Sequence, residues 1–163
     1  MDSKTILAII EEDDYILSFL SSVNDYLLLD EEDENTKTKR PRKRRIEIFR
    51  NREQGHLQLL NDYFVEEDQR TYTDEMFRRR FRMHRDLFNR IVDGVVEYDN
   101  YFVQKFDAAR QPNFSPIQKV ACAIRLLAYG IPADLTDDMF RMGESTAFES
   151  LKRFCKAVVN VFG

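Results

Sequence analysis

The sequence predicts an all-α fold, and three observations carry that expectation. Apolar residues recur at three- and four-residue steps along most of the chain, the spacing of one helix face. From Ile46 onward no two-residue alternation persists long enough to make a sheet. Helix start and stop residues punctuate the C-terminal third. The composition agrees: 5 Gly and 4 Pro in 163 residues argue against a turn-dense sandwich or a Gly-rich nucleotide fold, while 13 Phe supply material for a core. No apolar run approaches the roughly 20 residues that cross a bilayer, so no membrane partner is expected. The N-terminus lacks the pattern of a signal peptide. Two Cys, 33 positions apart, make neither a disulfide framework nor a metal motif, which points to a reducing, intracellular setting.

The net charge of −4 averages over opposed blocks. Residues 1–34 sum to −10 and residues 37–56 to +7; residues 57–77 give −5, 78–90 give +5, 91–110 give −2, and 111–163 give +1. Three regions follow: an acidic leader over 1–34, a basic linker over 35–45 and a helical body over 46–163. In the leader, Ile6, Ile9, Ile10, Ile16, Leu17, Leu20, Val23 and Leu27 form an amphipathic stripe. It suits either a terminal helix docked on the body or a partner-binding helix. Asp30 to Glu34 (DEEDE) ends the stripe. Lys37 to Arg45 (KTKRPRKRR) follows, where Pro41 and the repulsion of seven bases disfavour regular structure. Lys39, Arg40, Arg42, Lys43, Arg44 and Arg45 there suit an acidic import-receptor groove, and so a nuclear address. A solvated run neutralised by the preceding acids is the alternative.

In the body, Ile46 to Glu53 and Leu57 to Val65 read as two short helices separated near Gly55-His56. Thr71 and Thr73 precede Asp74 and Glu75, residues suited to a first helical turn. Phe77, Phe81, Phe88, Ile91 and Val95 form a long stripe with a break near Met83-His84. Arg78, Arg79, Arg80 and Arg82, with Arg85 and Arg90, surround it. Guanidinium density of this kind serves phosphate contact or ion pairing with the neighbouring acidic loops. Asn100 to Asn113 reads as a loop with Tyr101, Phe102 and Phe106 as packing anchors.

Ser115-Pro116-Ile117-Gln118 is a capping box with proline at the first helical position, and Gly130 and Pro132 stop the helix it opens. Asp134 to Met142 reads as a shorter helix with Leu135, Met139 and Phe140 facing inward. Gly143 makes the turn. Thr146 to Glu149 reads as a second capping box, opening a last helix with Phe148, Leu151, Cys155, Val158 and Phe162 on one face. This series fits helix-turn-helix geometry. Ser145, Thr146 and Glu149 would then lie nearest the base edges, with Lys152, Arg153 and Lys156 on the DNA backbone. A plain three-helix bundle is the alternative, and a segment charge of +1 is low for autonomous DNA affinity.

RNREQGHLQLLNDYF (50–64), FRRRFRMHRDLFNRIV (77–92), SPIQKVACAIRLLAYGIPAD (115–134) and GESTAFESLKRFCKAVVNVFG (143–163) together resemble plant members of the PIF/Harbinger superfamily of transposases and transposase-derived nucleases. The resemblance spans about 50–163. It implies an N-terminal helical, helix-turn-helix-like region, followed by an RNase H-like nuclease domain whose Asp-Asp-Glu triad binds divalent metal. The segments above correspond to the first part only, and the catalytic domain would be expected beyond Gly163. No residue here is assigned to the triad, and no cofactor is expected in this chain. The resemblance also implies a separate Myb-like DNA-binding partner.

Other chemistry is poorly supported. His56 and His84 lie in different segments, too few and too far apart for a metal site. Cys122 and Cys155 read as buried thiols, and Ser145 has no neighbouring His to act as its base. Three expectations remain: a nuclear DNA-binding and targeting module, a protein-interaction adapter for a Myb-like or chromatin partner, and a truncated transposase relic. An enzymatic reading requires catalytic sequence outside these residues.

Overall fold

The computed structural model describes residues 48–130 and 134–163. The acidic leader and the basic linker, with all six import-signal residues, lie outside them. Six helices follow in chain order: α1 (Arg52–Tyr63), α2 (Asp74–Phe81), α3 (Arg85–Tyr98), α4 (Pro116–Tyr129), α5 (Leu135–Phe140) and α6 (Glu144–Phe162). The fold is all-α. Among the described residues the single β feature is an isolated bridge between Phe106 and Pro112.

Local signals explain most boundaries. Thr73 caps α2 by accepting from the Met76 N–H at 3.3 Å. The break expected near Met83-His84 is present, because Arg82 takes a left-handed conformation and buried Met83 turns the chain into α3. Ser115 and Gln118 form the reciprocal capping box of α4, and Gly130 ends that helix at φ 57°. A positive φ is where glycine carries no steric penalty.

Four expectations are corrected. Gly55 does not divide two helices, since α1 runs through it and begins at Arg52. Gly55 is buried, and a Cβ there would stand 2.9 Å from Arg141 Cγ and 3.3 Å from Gln118 Nε2. Its missing side chain therefore permits close packing rather than ending the helix. Phe106 is no anchor, being 69% exposed, whereas Phe102 is fully buried. On α5, Phe140 is buried as expected, but Leu135 and Met139 face outward and Thr136 is buried in their place. The last helix begins at Glu144, with Gly143 as its N-cap and no side-chain cap, so Thr146 lies inside it. The early start places Ala147, Ser150, Leu151, Phe154, Cys155 and Val158 inward and leaves Phe148 exposed.

The core is organised around α4. Every residue from Gln118 to Ile124 is buried, because α4 packs most heavily on α6 and also meets α1, α2, α3 and α5. An aromatic cluster fills the space between α1, α2 and α3: Phe77 stacks on Phe81 with centroids 4.5 Å apart, and Phe88 meets both edge-on. Tyr63 closes it from α1, 5.2 Å from Phe81. Such pairs add to what burial alone contributes. Cys122 and Cys155 are free and buried, as expected.

The α4 capping box also joins two helices. Gln118 Oε1 accepts from the Ser115 N–H, while its Nε2 donates to the Arg52 carbonyl at 3.0 Å. Ser115 Oγ meets His56 Nδ1 at 2.9 Å. Replacing Gln118 with Met keeps volume but orphans polar groups at a buried site, each worth about 1–3 kcal/mol. Gln118→Met is therefore expected to lower the urea midpoint with an unchanged m value.

Candidate nucleic-acid interface

The face expected to meet DNA is built by the turn between α5 and α6. Arg141 ends α5 in a left-handed conformation at φ 55°, Met142 is buried, and Gly143 opens α6 in an extended one. Thr136 Oγ1 donates to the Met142 carbonyl at 3.0 Å, which holds the turn against α5. Three residues, Arg141 to Gly143, thus join the six-residue α5 to the 19-residue α6. The Gly143 carbonyl accepts from the Thr146 and Ala147 amides, and no side chain caps the helix start.

Arg50 sits against this turn. Its guanidinium carbon would lie 3.3 Å from a Cβ on Gly143, so glycine admits the arginine. Arg50 Nε donates to both carboxylate oxygens of Asp137, at 2.8 and 2.9 Å, and Nη2 stands 2.8 Å from Oδ2. The Asp137 hydrogen bond holds the guanidinium above its ordinary range, against a smaller loss from burial. A cavity of about 370 Å³ lies here, lined by Arg50, Arg52, Phe114, Gly143, Ser145 and Thr146 among others. Arg52 crosses it to reach the Asn113 side chain at 2.8 Å. Spacing puts Arg50 and Arg52 in a short helix over 46–53, whereas Arg50 precedes α1 and Arg52 begins it. Nothing local signals their role, because Asp137 lies 87 positions from Arg50.

Along α6, Ser145 and Glu149 are exposed, Thr146 is half-buried, and Lys156 is exposed two turns on. Lys152 and Arg153 are half-buried. Arg153 is already engaged: Nε donates to Glu149 at 2.5 Å, Nη1 to Asp99 at 3.1 Å, and its guanidinium lies 4.8 Å from the Tyr101 ring centre. The Glu149 and Asp99 bonds raise its pKa from the ordinary arginine value. Arg153 thus ties α6 to the end of α3 before any ligand arrives.

The α2 arginines divide in the same way. Arg79 is exposed. Arg80 donates to the Tyr63 hydroxyl at 2.6 Å and lies 3.9 Å over the Tyr72 ring. Arg82 stands over Tyr129 at 5.4 Å, and Arg78 is half-buried. Nearby, Arg70 and Arg85 both pair with Asp74. Ion pairing with neighbouring acids, one of the two readings of this cluster, therefore describes part of it. The α2 arginines and the α6 face are carried by helices that pack chiefly on α4 and α3.

Among the described residues no group of three or more His, Cys, Asp or Glu is placed to hold a metal ion. None of their helices is long and apolar enough to cross a membrane. Residues 55–96, from α1 into α3, match a family described as a domain of unknown function (DUF8418). No curated protein and no solved structure matches the chain.

Beneath Tyr101 a buried amine joins the α3 end to α4. Lys119 Nζ donates to the Tyr101 carbonyl at 2.6 Å and lies 4.4 Å from the ring centre. Burial, with Lys105 adding like charge, lowers its pKa from 10.5 to about 8. Between those values the unfolded chain holds a proton that the folded chain has released, so stability rises with pH from about 8. Above pH 9 the buried Cys122 thiol, pushed up to about 12, opposes the trend, because there the unfolded thiol loses a proton that the folded one keeps. Urea midpoints should therefore climb from pH 8 to pH 9 and then level. Lys119→Met should remove the climb.

Proposed function

We propose that this chain is a nuclear DNA-binding and targeting module, resembling the N-terminal helical region of a Harbinger-type transposase. The observation that carries the reading is the start of α6: a long helix with an uncapped N-terminus, opened by Gly143 and flanked by Arg50 and Arg52. The helix dipole favours an anion there, against the like charge of Glu144 in the first turn. Ser145, Thr146 and Glu149 are the base-edge candidates. Exposed Phe148 adds an apolar group of the kind that meets a thymine methyl. Lys152, Lys156 and Arg79, with Arg78 and Arg82, are the candidate phosphate contacts, and Arg153 positions Glu149. A site with few uncommitted cations implies modest affinity, which a Myb-like partner would supplement. The import role of Lys39, Arg40, Arg42, Lys43, Arg44 and Arg45 rests on their charge density and an acidic receptor. Divalent metal enters only through the catalytic domain that the resemblance implies.

Exposed Leu135 and Met139, one turn apart on α5, favour the adapter reading as the second choice. A pull-down from nuclease-treated nuclear extract separates the two, since a DNA-bridged complex is lost and a directly docked partner stays.

Titration of a labelled duplex with the full chain at several salt concentrations tests the first reading. The logarithm of the affinity should fall linearly with the logarithm of salt, by roughly 0.9 per phosphate neutralised. Lys156→Ala should weaken binding uniformly across sequences and reduce that slope by about 1. Affinity that ignores salt, or no binding at all, would overturn the reading.

A further inference from the structure

A second cavity, of about 260 Å³, lies between α1, α2, α4 and α5, with Tyr63, Tyr72, Arg80, Arg125, Met139 and Phe140 on its wall. Its chemistry is out of balance. Arg125 Nε and Nη1 are both buried, and neither has a hydrogen-bond partner among the described residues. The guanidinium instead lies over two rings, 4.8 Å from the centre of Tyr129 and 5.8 Å from that of Phe81. Rings stabilise a cation from its face but leave its in-plane N–H groups unmet. A buried donor without an acceptor is costly, and more so when charged.

Arg80 brings a second guanidinium to the same wall. It is fixed by its bond to the Tyr63 hydroxyl and its position over Tyr72. Because Tyr63 accepts from Arg80, its own hydroxyl proton remains available to donate. The two arginines repel: Arg80 adds to the burial that lowers the Arg125 pKa. Asp62 is the one acid on the wall.

We propose that this cavity is a binding site for a phosphate group, seated against the guanidiniums of Arg125 and Arg80 and the Tyr63 hydroxyl, with Met139 and Phe140 as its apolar side. An anion on this wall cancels the repulsion between the two guanidiniums. The donors come from separate helices, α2 and α4. A tetrahedral phosphate offers three terminal oxygens in different directions, whereas a carboxylate offers two in one plane. The site does not involve α6 and stands independently of the DNA-binding reading.

Thermal unfolding and isothermal titration of the full chain test the proposal with inorganic phosphate, with acetate, and with chloride at matched ionic strength. A nucleoside monophosphate and its nucleoside distinguish a whole nucleotide from a phosphate group alone. Phosphate is expected to raise Tm where chloride and acetate do not. The monophosphate should bind at least as tightly as phosphate, and the nucleoside should not bind. Arg125→Met is expected to weaken phosphate binding by roughly 30-fold, while leaving the ligand-free Tm equal or higher because two unmet buried donors are gone. Arg80→Lys keeps the charge, loses the fork, and should also weaken phosphate binding. Stabilisation equal in acetate, no phosphate effect beyond chloride, or unchanged phosphate binding in either variant would overturn the assignment. A ligand-free Arg125→Met that is destabilised would do the same, since it would make Arg125 a packing residue.

Discussion

The hydrogen-bonded junction at the start of α4 is the constraint on which the rest of the fold depends. A helix buried from Gln118 to Ile124, with its N-cap Ser115 also buried, cannot leave its opening N–H groups to water, so its cap must be internal. Gln118 meets that demand and at the same time holds the Arg52 carbonyl, while Ser115 reaches His56. Two polar residues therefore cap α4 and set where α1 crosses it. Gly55 then admits Arg141, at the end of α5, and the Gln118 side chain against α1. With α1 in place, Arg50, just before it, reaches the α5–α6 turn. The position of the candidate DNA-facing cavity thus follows from a cap some distance away.

Charge in this protein is mostly committed. Arg153 spans Glu149 and Asp99, Arg50 holds Asp137, and Arg70 and Arg85 share Asp74. Most of these pairs are part-exposed and each contributes modestly to stability. Their larger consequence is geometric, because they fix which cations remain to meet an anion. Lys156 and Arg79 face solvent; Arg125 lies on a cavity wall with Nε and Nη1 buried and unmet among the described residues. The block charges of the sequence described where bases accumulate, and the fold sorts them into cross-links and open donors.

The aromatic residues have a similar double role. Phe77, Phe81 and Phe88 pack on one another and set the angle between α2 and α3. Tyr63 joins the same cluster while its hydroxyl takes Arg80. Tyr101 accepts Lys119 at its carbonyl, meets Ser150 through its hydroxyl and carries Arg153 over its ring. Each tyrosine places an apolar body in the core and a polar end at a junction.

The sequence by itself determined the all-α class, the break near Met83-His84, the Thr73 cap and the Ser115–Gln118 box. Those features depend on residues a few positions apart, where periodicity and capping act directly. It did not reveal that α1 runs through Gly55, that α6 starts at Glu144, or that Leu135, Met139 and Phe148 face outward. Glycine can end a helix or admit a neighbour, and only the neighbour decides. A stripe of apolar residues on a short helix can be rotated by what it packs against. Arg50 meets Asp137, and Arg80 and Arg125 come to one cavity wall, across long stretches of chain. Tertiary structure alone decided those encounters, because a charge's role depends on which opposite charge, or which empty cavity, the folded chain brings to it.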